Sequence, residues 1–80
     1  MITVTPANLT AGATGTVCVR NSSHPGTTIT VRVDNGAGEE QVIQIELDGD
    51  GNGCASWTVP GWTVANFNYS TCPQVTMPID

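Results

Sequence analysis

Thr28-Ile29-Thr30-Val31-Arg32-Val33-Asp34 alternates apolar and polar side chains without a break, and Asn35-Gly36 follows at once. A period of two puts Ile29, Val31 and Val33 on one face of an extended strand and Thr28, Thr30 and Arg32 on the other. Asn and Gly both tolerate positive φ, so the chain is expected to turn there. Beyond the turn the alternation resumes from Gln41 to Leu47, with Ile43, Ile45 and Leu47 sharing a face.

The same pattern repeats outward in both directions. Ile2 to Thr5 places Ile2 and Val4 inward and is ended by Pro6, and Thr16 to Arg20 sets Val17 and Val19 opposite Thr16, Cys18 and Arg20. Downstream, Cys54 to Val59 turns Ala55, Trp57 and Val59 inward. Ala65, Phe67 and Tyr69 then alternate with Asn66 and Asn68, and Gln74 to Ile79 buries Val75, Met77 and Ile79. No segment carries the three-and-four spacing of a helix. Seven short strands separated by turn signals predict an all-β antiparallel sandwich, and eighty residues make it a single domain spanning 1–80.

Composition narrows the classes of function. Seven carboxylates against two arginines, with no lysine, give a net charge of −5. A phosphate backbone or an anionic membrane is held by clustered Lys and Arg, so neither nucleic acid nor membrane is an expected partner. Charged residues are 11% of the chain, against roughly 25% in an average soluble domain, so Thr, Ser, Asn and Gly must clothe the surface. Such a surface repels weakly and suits packing against other subunits. Met-Ile-Thr-Val-Thr-Pro has neither a basic region nor an apolar core, so a signal peptide is not expected.

From Leu47 to Pro60 a strand runs into Asp48-Gly49-Asp50-Gly51-Asn52-Gly53, then an alternating strand, then Val59-Pro60. This layout resembles the later half of bacterial Ig-like (Big-type) domains, which occur in adhesins, in surface-layer proteins and as accessory domains on phage virions. The resemblance implies a seven-strand antiparallel Ig-like β-sandwich. Antibody hallmarks are missing: the strand 28–34 has no Trp, and Tyr69 lies three residues before Cys72 rather than two. In Ig-like sheets the second and fifth strands are neighbours, which makes Cys18–Cys54 the first choice of disulfide and Cys54–Cys72 the alternative. In a reducing compartment all three would be small packing residues.

If successive strands run alternately up and down, the loops 21–27, 48–53 and 71–73 gather at one end, with the cysteines and His24 nearby. Asp48, Asp50 and Asn52 match the first half of an EF-hand loop, but its twelfth position is Val59 rather than Glu. They are calcium candidates set against a plain tight loop. Cys18, Cys54, Cys72 and His24 could supply a Cys3His zinc set, although no Cys-x-x-Cys pair is present. No nucleophile, base and orienting acid recur in a catalytic pattern, so no enzyme activity and no cofactor are expected. Trp62, after Pro60-Gly61, is either an exposed aromatic platform or a cap on the core. Three Asn-x-Ser/Thr triplets, at Asn8, Asn21 and Asn68, read as chance matches in so polar a chain.

These readings converge on a non-enzymatic bacteriophage virion protein, a capsid decoration or accessory domain that binds the shell stoichiometrically. Its expected partners are the major capsid protein or other virion proteins, with homo-oligomers allowed. Ile2 and Val4 on the first strand, Val75 and Met77 on the last, and Trp62 are the interface candidates. The alternative is a carbohydrate- or protein-binding Ig-like module of a secreted or cell-surface bacterial protein, using Trp62, Tyr69 and the 48–52 loop.

Overall fold

A computed structural model of the chain describes residues 1–70 and 72–80. Each alternating segment is a strand: β1 (Ile2–Thr5), β2 (Thr14–Val19), β3 (Thr28–Asp34), β4 (Glu40–Glu46), β5 (Gly53–Thr58), β6 (Val64–Asn68) and β7 (Val75–Pro78). The described residues contain no helix. β1 and β3 have the expected bounds. β2 begins two residues early, because Thr14 and Gly15 still find partners in Thr58 and Trp57.

Two antiparallel sheets result, ordered β1-β2-β5 and β4-β3-β6-β7. The five-residue connection after Asp34 makes β3 and β4 a hairpin, with Asp34 opposite Glu40 and Thr28 opposite Glu46. Gly36 and Gly38 take φ of 73° and 98° in that turn. Its remaining amides are satisfied locally: Gly36 N–H donates to the Asp34 carboxylate and Ala37 N–H to the Asn35 side chain, both at 2.9 Å. The β3–β4 hairpin therefore draws the fourth strand into the larger sheet.

One core joins all seven strands. Val17, Val19, Val31, Val33, Ala65 and Phe67 are fully buried between the sheets. At their centre the Trp57 ring of β5 meets Phe67 of β6 edge-on, centroids 5.2 Å apart, and lies 6.2 Å from Trp62. Such tilted aromatic pairs add about 1 kcal/mol beyond the area they bury. The Gly- and Ala-rich stretch after Pro6 contributes an unexpected core member. Leu9 is buried and bridges Ile79 in parallel, while Asp80 N–H donates to the Leu9 carbonyl at 2.9 Å. That contact spans the two sheets on the β1/β7 side. No sequence periodicity marks Leu9; the only signal is a lone large apolar residue in a run of small ones.

Candidate functional site

The loops 21–27 and 48–53 do meet at one end of the molecule. Asn21 N–H donates to the Asn52 side chain and Ser22 N–H to the Gly51 carbonyl, both at 3.0 Å. The Ser22 hydroxyl lies 2.9 Å from the Tyr69 hydroxyl, which ties the same end to the strand β6. Gly51, with φ of 81°, is required here, since a Cβ would sit 2.5 Å from the Ser22 carbonyl oxygen. Of the loop expected at 71–73, Thr71 lies outside the described residues.

The calcium candidates are spent inside this loop. Asp48 Oδ1 accepts hydrogen bonds from Asp50 N–H at 2.9 Å and Asn52 N–H at 3.0 Å, and Asn52 Oδ1 is occupied by Asn21. Those two backbone amides hold the Asp48 carboxyl below the usual carboxylate range. The Asp48 and Asn52 side chains act as staples of a turn, Asp50 joins it through its backbone amide, and no group of three His, Cys, Asp or Glu side chains comes together among the described residues. A Cys3His zinc set also fails, because Cys18 and Cys54 are bonded to each other with an S–S distance of 2.05 Å. Cys72 keeps a free, half-buried thiol that accepts a hydrogen bond from the Met1 amino group at 3.3 Å. His24 is exposed in its loop.

Three of the five interface candidates are not surface residues. Ile2, Trp62 and Met77 are buried, at 4%, 6% and 6% exposure, so none can meet a partner without opening the core. Ile2 and Met77 follow the inward phase of their strands even at the sheet edges. Trp62 caps the core and donates its indole N–H to Glu39 at 3.1 Å. Val4 and Val75 are half-buried against the same cluster. The large apolar residues that do stand out are Met1 and, on β4, Val42, 60% exposed, which sequence reasoning passed over because it occupies the polar phase of its strand.

The distinctive surface is the outer face of the β1-β2-β5 sheet. Register aligns Thr5, Thr16 and Ser56 in one row and Thr3, Cys18 and Cys54 in the next, with Thr14 and Thr58 beside them. The hydroxyls of Thr14 and Thr58 lie 3.2 Å apart. None of the seven carboxylates and neither arginine belongs to these three strands. The disulfide lies toward one end of the face, one residue from the end of β2 and the start of β5, and staples the two strands.

Most charge is gathered on the other sheet and its loops; Arg20, exposed just after β2, and the Met1 amino group bonded to the Arg20 carbonyl sit at the end of the smaller sheet. Arg32 and Glu40 pair at 3.4 Å across β3 and β4, an exposed contact worth little. Beside them the Asp34 carboxylate accepts from Asn66 Nδ2 at 3.0 Å, and Asn66 Oδ1 accepts from the Thr76 hydroxyl at 2.8 Å. One face of the molecule is thus a hydroxyl surface free of carboxylates and bordered by Arg20, and the opposite one an acidic and amide-rich surface.

No protein-family model, curated protein or solved structure matches the chain.

Proposed function

We propose that this chain is a non-enzymatic bacteriophage virion protein, an Ig-like decoration domain that binds the capsid shell stoichiometrically through the neutral outer face of β1-β2-β5. The strand order supports the Ig-like reading, with the second strand beside the fifth and the third beside the sixth. The observation that carries the functional reading is the segregation of charge. A protein of net charge −5 presents one face whose strand positions are Thr, Ser and a disulfide, with no carboxylate and with cationic groups, Arg20 and the Met1 amino group, only at its border. Hydroxyl-bearing strands are easily desolvated compared with carboxylates, and they lose little side-chain entropy on packing. On a symmetric shell many copies make modest single contacts collectively strong.

Co-sedimentation of the purified protein with expanded empty shells tests this. Expected is saturable binding at a fixed number of copies per shell. Thr16→Arg, which places a charge at the centre of the neutral face on an exposed position, should abolish it. Failure of the wild-type protein to bind shells would overturn the reading.

The alternative of a carbohydrate-binding module loses the side chains first assigned to it: Trp62 is buried, and Asp48 and Asn52 are engaged in their own loop. What favours it is the Asp34–Asn66–Thr76 row, a fixed set of carboxylate, amide and hydroxyl groups on the other sheet. A glycan array separates the two readings.

A further inference from the structure

The four sheet edges of this molecule are unequally protected. β1 has four residues and ends at Pro6; β7 has four and contains Pro78. β4 carries Glu40 and Glu46. Short strands, prolines and charges are the devices that keep an edge from pairing with another chain. β5 has none of them. It runs six residues, Gly53-Cys54-Ala55-Ser56-Trp57-Thr58, with no charge and no proline, and among the described residues it pairs only with β2. It is an edge because the β3–β4 hairpin has taken the fourth strand into the other sheet, and β4 approaches it there at its first residue, Gly53, through the Glu46 carbonyl.

The direction of its free backbone groups follows from the disulfide pair. Cys18 and Cys54 are register partners with Cα atoms 4.0 Å apart, the narrow spacing of a non-hydrogen-bonded antiparallel pair. In such a pair the N–H and C=O point away from each other. The backbone groups of Cys54, and by alternation those of Ser56 and Thr58, therefore face the open edge, while Ala55 and Trp57 bond to β2.

We propose that two copies of this chain pair through β5, antiparallel, about a twofold axis at Ser56. Ser56 then exchanges both backbone bonds with Ser56 of the second copy, and Cys54 does so with Thr58 on either side, about six bonds in all. The strand is self-complementary in this register. Ala55, half-buried on the core side, falls opposite the large Trp57, and only uncharged side chains meet on the outer face. The equivalent pairing through β4 would set Glu40 against Glu46 directly, which like charges disfavour. The product is a sheet of six strands, three from each copy, whose outer face is the neutral surface doubled in width. This association holds whatever shell or ligand the protein meets.

The test is sedimentation equilibrium of the oxidised protein over a hundredfold range of concentration, with amide exchange followed at Cys54, Ser56 and Thr58. Expected is a monomer–dimer equilibrium in which these three amides become protected as concentration rises. Ser56→Pro removes the outward N–H without touching a bond to β2, and should weaken the dimer about tenfold or more. If that variant does not fold, Ser56→Lys serves, since it sets two like charges face to face on the axis. A monomer at every concentration, a dimer that both substitutions leave intact, or protection of these amides only on added shells would each overturn the proposal.

Discussion

The indole Nε1 of Trp57 on β5 donates a 3.1 Å hydrogen bond to Oε1 of Gln41 on β4, joining the two sheets at the side where neither strand has a backbone partner. Gln41 occupies the inward phase of β4, in line with Ile43 and Ile45, but lies near the strand's start where the interior meets water. The amide oxygen there lets a large aromatic be buried without leaving its N–H unpaired.

Gln41→Leu keeps the apolar contact and removes the acceptor. It should cost about 1–2 kcal/mol, lowering Tm by roughly 4–16 °C in thermal unfolding followed by circular dichroism. Trp57→Phe would cost more, through lost packing against Phe67. In the double variant the two losses should sum to less than their separate values, and strict additivity would refute the hydrogen bond's role.

The Cys18–Cys54 bridge closes a loop of 36 residues. Chain-entropy arguments put its contribution at about 4 kcal/mol, a large share of the total stability of so small a domain. Reduction, or Cys54→Ser, should lower the unfolding free energy by about that amount and move the urea midpoint downward accordingly. A midpoint that ignores reductant would show that the staple contributes little.

Asp48 governs stability at acid pH. Hydrogen bonds from Asn52 and Asp50 lower its pKa in the folded chain relative to the unfolded one. Its contribution is complete above the ordinary carboxylate range, near pH 4, and is lost as pH falls through the lower folded value. Asp48→Asn should therefore flatten the stability-versus-pH curve below about pH 4 and leave its slope near neutrality unchanged. An equal slope in both proteins would contradict this.

Gly53 opens β5 where it passes close to β4, and a Cβ there would run into the carbonyl of Glu46. Gly53→Ala should destabilise by about 2–3 kcal/mol, because backbone rather than a movable side chain blocks the methyl group. Gly61→Ala has open space around it and should leave unfolding nearly unchanged.

Much of this was legible in the residues. Alternation located every strand to within about two residues and sorted Val17, Val31, Ile45 and Phe67 correctly into the interior. Leu9 escaped because it lies in no periodic segment, and Val42 because it sits in the polar phase of a strand. Trp62 stayed undecided until its acceptor, Glu39, was brought beside it by the β3–β4 turn. The acidic loop looked like half a cation site; only its folding back showed that backbone amides already use Asp48 Oδ1 and Asn52 Oδ1.

By itself the sequence determined that the chain is extended throughout, which residues of each strand share a face, and that Ile2–Thr5, Thr14–Val19 and Gly53–Thr58 contain no charge. Tertiary structure alone decided that these three segments lie side by side. A period of two reports what faces inward but not which strand is the neighbour, since pairing is a long-range choice made by turns and core packing. That choice turned three unremarkable uncharged segments into one neutral surface and left β5 with an open edge.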